Sequence, residues 1–145
     1  MSHGDRMARS RAYATFRALV RWTLGKGVPP AIRWDLATNC PWSCAYCCAR
    51  GKPEAGGEAD TGRALEFIDA LGHAGVLTLS FSGGEPMLRA DLDTLALRAR
   101  RWGIVPTVNT SGFLVDRYPE RLRSMGLVKI SLDGPPEIHE SVRGK

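Results

Sequence analysis

Residues 76–86 read VLTLSFSGGEP, a short and mainly apolar run followed directly by two glycines, a glutamate and a proline. An apolar run of this length is typical of a strand that is buried on both faces, as the strands of parallel sheets are. Ligands and catalytic groups collect at the carboxyl ends of such strands. We therefore predict a buried parallel strand whose SGGEP ending lies at a functional site.

Three further predicted strands flank this one in the sequence, and each also ends in a polar or glycine-rich signature. AIRWDLATN, residues 31–39, alternates apolar and polar side chains and runs into TNCPWSC. IVPTVNT, residues 104–110, leads into NTSG, although Pro106 indicates an irregularity in that strand. LVKISLD, residues 127–133, leads into SLDG. Signatures that share one sheet edge predict one composite site.

Helical patterns separate these strands. We predict helices over residues 61–74 and 92–102, because their apolar residues recur at three- and four-residue steps and a glycine follows each helix. A third helix is expected to begin at Asp116 and to run through Met125, and residues 134–145 begin another. Strands that alternate with helices predict an α/β fold with a parallel sheet.

All four cysteines lie within residues 38–50, TNCPWSCAYCCAR. Disulfides within so short a segment would close only very small loops, so we expect free thiols in a reducing compartment. The adjacent Cys47 and Cys48 do not easily converge on one tetrahedral zinc ion, and a CAYC redox pair would leave Cys40 unexplained. We interpret Cys40, Cys44 and Cys47 as the ligands of an iron–sulfur cluster with one iron left open. Cys48 is interpreted as a small buried residue.

Length and composition are consistent with a single domain. The chain has 145 residues, 43% of them hydrophobic, and a formal net charge of +5. No run approaches the roughly 18 apolar residues that a membrane span requires, and no secretory signal is evident, so we expect a soluble cytoplasmic protein. A nucleic-acid-binding protein is disfavoured because the strand-end signatures contain almost no basic residues. A zinc-stabilised binding module that uses the cysteines structurally remains the alternative.

The N-terminal segment has a pattern of its own, which predicts an amphipathic basic helix over residues 8–24. The apolar residues that recur at steps of three and four are Tyr13, Phe16, Val20 and Leu24. Such a helix can bind an anionic membrane or an acidic peptide leader, or it can pack across the underside of the folded domain. We therefore divide the chain into an N-terminal extension, residues 1–29, and a folded domain, residues 30–145.

The cysteine segment and the glycine-rich strand end together resemble a known enzyme family. CPWSCAYC has the Cys-x3-Cys-x2-Cys spacing of the radical S-adenosylmethionine (SAM) enzymes, and GGEP stands where that family has its second motif. The resemblance covers the chain from about Pro30 onward. It implies an incomplete (β/α) partial barrel of about four strand–helix units, where a typical member has about six. We accordingly expect residues 30–145 to be the N-terminal part of a radical SAM core domain.

The resemblance also implies roles for individual residues. Cys40, Cys44 and Cys47 correspond to the ligands of a [4Fe-4S] cluster whose open iron is chelated by SAM. Tyr46 matches an aromatic position near the adenine, and Arg143 is a candidate to pair with the carboxylate of SAM. The strand edge that accepts the amino group of SAM comprises Ser82, Gly83, Gly84 and Glu85. The polar positions near the ribose or the carboxylate are Asn109, Ser111, Ser131 and Asp133.

The chemistry that the resemblance implies is reductive cleavage of SAM. The products are methionine and a 5′-deoxyadenosyl radical that abstracts hydrogen from a substrate. The implied partners are an electron donor of the flavodoxin or ferredoxin type and a substrate. The pattern SLDGPPEIHESVRG resembles that of the family branch that modifies peptides and cofactor precursors. A cluster that is open to ligand is also open to oxygen, so we expect an oxygen-sensitive protein. Because the barrel is incomplete, we expect this chain alone to turn over little.

Overall fold

The secondary structure is taken from a computed structural model, which describes residues 13, 15–25, 27–47 and 57–144. Its helices and strands, in chain order, are α1 (residues 15–23), β1 (Ala31–Ala37), α2 (Thr61–Ala74), β2 (Thr78–Gly83), α3 (Leu92–Arg101), β3 (Val105–Thr110), β4 (Leu127–Ile130) and α4 (Pro136–Arg143). Short 3-10 helices follow β2 and β3 at Pro86–Leu88 and Pro119–Leu122. Strands and helices therefore alternate through most of the described chain, as predicted.

The strands form a single parallel sheet in the order β1-β2-β3-β4. Phe81 of β2 lies opposite Val108 of β3, which in turn lies opposite Val128 of β4. The register between β1 and β2 shifts between Asp35 and Ala37, where the chain leaves the sheet. Because consecutive strands are neighbours and all are parallel, the four polar signatures meet along one edge. The predicted α/β fold with a parallel sheet is confirmed.

The hydrophobic core lies between the sheet and helices α2 and α3. Ile68 of α2, Leu95 of α3 and Phe81 of β2 are fully buried in one cluster. In both helices the buried positions recur at three- and four-residue steps, as expected for helices that cover one face of a sheet. This packing fixes the strands and thereby the positions of the loops at their carboxyl ends.

The ends of the first two predicted helices follow the expected capping rules. The side chain of Asp60 accepts a hydrogen bond from the N–H of Arg63 (2.8 Å) at the start of α2. Gly75, with a φ of 84°, ends that helix in the left-handed conformation that glycine adopts without strain. Gly103, with a φ of 74°, follows the end of α3.

The predicted helix from Asp116 to Met125 is wrong. The structure has turns there and only the 3-10 helix Pro119–Leu122. A proline disfavours helical backbone in the residue before it, and Tyr118 has a φ of −135° and a ψ of 56°. The proline therefore prevents an α-helix from continuing through this segment.

The predicted irregularity at Pro106 is absent, since β3 keeps a continuous register with β2 from Val105 onward. The N–H of Val105 donates to the carbonyl of Leu77 on the β2 side. Successive residues of a strand direct their N–H groups to opposite sides, so residue 106 would donate toward β4. The β4 ladder begins only opposite Thr107. The proline therefore removes no ladder hydrogen bond.

Helix α1 is the described part of the predicted N-terminal helix, while residues 1–12, 14 and 26 lie outside the described residues. A cavity of about 760 Å³ separates α1 from the ends of α2 and α3 and from the edge where the strands begin, and Arg17 and Arg21 of α1 line it. The predicted apolar positions Tyr13, Phe16, Val20 and Leu24 are all exposed. Among the described residues, no helix has the length and apolar character of a membrane-spanning segment. The domain boundary between residues 29 and 30 stays a prediction.

Candidate active site

The candidate site begins at a junction between the exits of β1 and β2. The chain leaves β1 into residues 38–47, here called the cysteine loop, and the N–H of Glu85 donates to the carbonyl of Asn39 in that loop (2.8 Å). A Cβ atom at Gly84 would overlap the backbone of Asn39, and Gly83 has a φ of 104°. The two glycines are therefore required because the cysteine loop lies directly against the end of β2.

The carboxylate of Glu85 joins the end of β2 to the end of β3. Its side chain is buried, with only 1% of its surface exposed. Oε1 accepts hydrogen bonds from the hydroxyl of Thr110 (2.7 Å) and the N–H of Met87 (3.1 Å). Oε2 accepts hydrogen bonds from the N–H (2.9 Å) and the hydroxyl (2.6 Å) of Ser111. These donors occupy about the full accepting capacity of a carboxylate, so the side chain of Glu85 organises the strand ends.

Trp42 connects the cysteine loop to the same junction. Its indole N–H donates to the hydroxyl oxygen of Ser111 (3.1 Å), and the proton of that hydroxyl is directed at Glu85. The indole also meets the ring of Phe113 edge to face, with 5.7 Å between centroids. A continuous chain of contacts therefore runs from the cysteine loop through Ser111 to Glu85.

Cys40, Cys44 and Cys47 are free cysteines on this loop; Cys44 is buried, and the other two are exposed. Burial is the main cause that raises the pKa of the Cys40 thiol. A backbone hydrogen bond at Trp42 opposes this rise in pKa, whereas the charges of Glu85 and of the other two thiols add to it. The other two thiols therefore lie close enough to Cys40 to interact with it electrostatically.

The three thiols are not gathered around the position of a single metal ion. Within the described ranges, no group of three His, Cys, Asp or Glu side chains is placed to hold one metal ion. Thiolates on one tetrahedral zinc ion lie about 4 Å apart, whereas the thiolates of a four-iron cluster bind different irons. Three free thiols on one loop are the ligand type that a [4Fe-4S] cluster takes. Cys48, predicted to be a buried residue, lies outside the described residues.

Asp133, in the loop after β4, brings together two other predicted residues. The hydroxyl of Tyr46 donates to Oδ1 (3.0 Å), and Nε of Arg143 donates to Oδ2 (2.6 Å). The hydrogen bond from Arg143 is the main cause that lowers the pKa of Asp133. Burial, followed by the hydrogen bond to Asp133, raises the pKa of Tyr46. Nη1 of Arg143 also lies 3.9 Å from Sγ of Cys44, so this group contacts the cysteine loop at a candidate ligand.

The remaining predicted positions follow the same edge, but their described contacts are to the sheet. The side-chain amide of Asn109 donates to the hydroxyl of Ser80 (3.1 Å) on the neighbouring strand. The N–H of Ser131 donates to the carbonyl of Thr110 (2.9 Å), and Ser82 is buried. The roles predicted for these residues in binding SAM stay predictions.

Comparison with known proteins decides the family. Residues 34–145 match the family model described as "Radical SAM superfamily". The chain belongs to the radical SAM superfamily. Radical SAM proteins hold a [4Fe-4S] cluster and bind SAM, so the cofactors that the cysteine loop and the GGEP motif predict are those of the family.

Two similar proteins indicate the range of radical SAM relatives. Fe-coproporphyrin III synthase of Methanosarcina barkeri is 37% identical over 123 residues, which cover 82% of this chain and 31% of that protein. PqqA peptide cyclase of Granulibacter bethesdensis is 39% identical over 106 residues, which cover 72% of this chain and 28% of that protein. The chain spans about a third of the length of the curated relatives it matches.

Solved structures show the same fold. SuiB of Streptococcus suis superposes with a TM-score of 0.67 at 24% identity, covering 81% of this chain and 28% of SuiB. The SAM-bound structure of anSMEcpe gives a TM-score of 0.64 at 22% identity, covering 78% of this chain and 34% of that one. At these identities the similarity shows the fold alone, and that fold is the predicted partial barrel.

A second anchor of the cysteine loop was not predicted from the sequence. Glu58 accepts hydrogen bonds from the N–H (2.7 Å) and the hydroxyl (3.0 Å) of Thr38, where the loop begins. Nη1 of Arg89 lies 3.9 Å from Oε2 of Glu58. The same guanidinium donates two hydrogen bonds to the carboxylate of Asp91 (2.9 and 2.7 Å). No local pattern marks Glu58, because its partner is 20 residues away in the sequence.

We predict that this anchor makes the protein less stable in acid. The hydrogen bond from Arg89 is the main cause that lowers the pKa of Asp91 below its ordinary value of 3.8. Burial is the largest single influence on the pKa of Glu58 and acts to raise it. Hydrogen bonds from Thr38 nevertheless lower this pKa below its ordinary value of 4.5. A pKa that is lower in the folded state gives stability that is complete above the unfolded-state pKa and is lost as the pH falls through the folded-state pKa. The free energy of unfolding should therefore fall from about pH 5 to pH 3.

The variant Asp91→Asn tests this pH dependence by urea unfolding at a series of pH values. We expect it to lower the free energy of unfolding at neutral pH by about 1 to 2 kcal/mol and to flatten the acid slope. Asp116→Asn is the matched control, because Asp116 is exposed and forms no ion pair with any residue that the structure describes. An acid slope that is the same in Asp91→Asn and in the unchanged protein would contradict the assignment.

Proposed function

We propose that this chain provides the cluster-binding and SAM-binding part of an enzyme that cleaves SAM reductively and acts on a peptide or a cofactor precursor. When bound and reduced, the cluster supplies one electron to the sulfonium of SAM, which splits into methionine and a 5′-deoxyadenosyl radical that takes a hydrogen atom from the substrate. The chain's own residues bind and orient the cofactors for this step.

The observation that carries this proposal is the placement of the three free thiols beside the end of β2. The cysteine loop is joined to that strand end by the hydrogen bond between Glu85 and Asn39. A cluster held by Cys40, Cys44 and Cys47 would therefore lie beside the SGGEP turn, and one of its four irons would have no protein ligand. A cofactor with an amino and a carboxylate group suits that open position.

Specific residues are proposed to hold SAM. The carboxylate of Glu85 already accepts four hydrogen bonds, so we assign contact with the amino group to backbone carbonyls of Ser82, Gly83 and Gly84, with Glu85 fixing their position. Tyr46 is assigned to the adenine. The residues assigned to the ribose and the carboxylate are Asn109, Ser111, Ser131, Asp133 and Arg143.

The substrate class is proposed from the relatives and from the sequence pattern after β4. The similar proteins include a PqqA peptide cyclase, an Fe-coproporphyrin III synthase and a third protein whose name is "Probable GTP 3′,8-cyclase". On the basis of these names, we propose that the substrate of this chain is a peptide or a cofactor precursor. We further propose a flavodoxin or ferredoxin as electron donor and the cytoplasm as location, since free thiols persist in a reducing compartment.

Anaerobic reconstitution with iron and sulfide tests the proposed function. We expect a reduced-cluster electron paramagnetic resonance (EPR) signal that shifts when SAM is added, together with 5′-deoxyadenosine and methionine as products. A protein that binds one zinc ion tightly and forms no iron–sulfur cluster under these conditions would instead support the structural alternative. A cluster that stays intact in air would count against an open iron.

A further inference from the structure

We propose that Arg143 is a positioning residue for the cluster: its guanidinium, oriented by Asp133, donates a hydrogen bond to the sulfur of Cys44 and raises the reduction potential of the bound cluster. This inference rests on the proposed function, because it requires that Cys44 ligates the cluster. Binding of SAM alone does not explain why Arg143 and Asp133 contact the cysteine loop, whereas this role does.

The first support is the position of the guanidinium itself. The side chain of Arg143 is only 12% exposed, so its charge is largely shielded from solvent. Nη1 lies 3.9 Å from Sγ of Cys44, and the guanidinium carbon lies 5.7 Å from the centroid of the Tyr46 ring. Cys44 is itself the buried cysteine of the three, so this contact is screened weakly by water.

The second support is that the backbone of α4 is held against the cysteine loop independently of the arginine side chain. The N–H of Ala45 donates to the carbonyl of Val142 (2.9 Å). A Cβ atom at Gly144 would lie 2.5 Å from the hydroxyl oxygen of Ser43. The residues on both sides of Arg143 therefore contact the residues on both sides of Cys44, and this holds the backbones of Arg143 and Cys44 next to each other.

The third support is the way in which Asp133 is held. Its two carboxylate oxygens take hydrogen bonds from Tyr46 and Arg143, at 3.0 and 2.6 Å. Its backbone N–H donates to Nδ1 of His139 (3.3 Å), which ties the loop after β4 to the middle of α4. Contacts from both elements thus fix the carboxylate that orients the guanidinium. Asp133 acts on the cluster only through Arg143.

Elementary electrostatics gives the direction of the effect. Reduction adds negative charge to a cluster, and a nearby cation that donates a hydrogen bond to a ligand sulfur stabilises the reduced form more than the oxidised form. The potential is therefore higher with Arg143 than without it. A guanidinium has five N–H donors, and Asp133 and Cys44 use two of them. Three donors remain, so this role is compatible with a contact between Arg143 and the carboxylate of SAM.

The test compares Arg143→Met with Arg117→Met in the reconstituted protein by EPR-monitored redox titration. Arg117 is the matched control because its guanidinium also lies over a tyrosine ring, that of Tyr118 at 5.3 Å, on another part of the surface. We expect Arg143→Met to raise the ratio of oxidised to reduced cluster about tenfold at a fixed potential, which equals a midpoint about 59 mV lower for a one-electron couple. Arg117→Met should leave the midpoint unchanged. A midpoint that is equal in both variants and in the unchanged protein would overturn the inference.

If Arg143→Met does not retain a cluster, a second measurement tests whether Arg143 lies against the cluster. Protein whose arginines alone carry nitrogen-15 is reduced, and pulsed EPR records nitrogen-15 coupling to the cluster. We expect a coupling in the unchanged protein that Arg143→Lys lacks, because the lysine nitrogen is unlabelled. An intact cluster without such a coupling would overturn the inference and leave the proposed function standing. If the unchanged protein forms no cluster, both the inference and the proposed function fail.

Discussion

Replacing Cys44 with alanine is expected to reduce the iron and sulfide content of the reconstituted protein nearly to zero and to remove the SAM-dependent EPR change. Cys44 is the buried thiol of the three and lies between the two exposed ones in the loop. Without it only Cys40 and Cys47 remain as described thiol ligands, and two thiolates do not hold a four-iron cluster.

Cys48→Ala is the matched control for this experiment. It removes a cysteine from the same segment, one residue beyond the last assigned ligand. We expect that variant to retain the cluster and its response to SAM, as measured by iron and sulfide analysis and by EPR. A cluster that survives in Cys44→Ala and is lost in Cys48→Ala would replace Cys44 by Cys48 in the ligand set.

Replacing Glu85 with alanine is expected to lower the free energy of unfolding by about 3 kcal/mol. The change leaves donors without an acceptor, namely the buried hydroxyl of Thr110, the buried N–H of Met87 and the two half-buried donors of Ser111. Unpaired buried polar groups each cost about 1 to 3 kcal/mol. Glu85→Gln should be nearly as destabilising, because its amide NH₂ would have to face groups that donate hydrogen bonds.

Urea unfolding of the cluster-free protein measures this effect without reference to catalysis. The control is Glu66→Gln on the exposed surface of α2, where the change should be within about 0.5 kcal/mol. If Glu85→Gln is as stable as the unchanged protein but binds SAM poorly, the side chain of Glu85 contacts the cofactor directly. That result would contradict its assignment as the link between the strand ends.

The fold could be predicted largely from local patterns. β2 and the helices α2 and α3 have apolar periods that identify them without knowledge of their neighbours. The failure between Asp116 and Met125 has a local cause as well, since Pro119 outweighed the apolar spacing. The irregularity predicted at Pro106 was wrong. Whether a strand accepts a proline depends on where the neighbouring strand begins, and no local pattern shows that position.

The site could be predicted only as a set of motifs. The spacing of the cysteines predicted Cys40, Cys44 and Cys47 as ligands, and the order of the strands implied that the motifs share one edge. The contacts that join them were not predictable, because Glu85 meets Ser111 across 26 residues and Tyr46 meets Asp133 across 87. Such pairings depend on the register of the sheet, and the sequence carries no periodic signal for them.

The attachment of the cysteine loop to the end of α4 has a consequence for the order of events during synthesis. Cys44 and Arg143 are 99 residues apart, so the loop cannot take its final shape until the whole sheet and the last helix have left the ribosome. At the usual rates of translation this delay is about 5 to 20 s. During that interval the nascent thiols are exposed to oxidants and to stray metal ions. We therefore expect iron–sulfur assembly to follow folding of this chain, at a loop that has already taken its final shape.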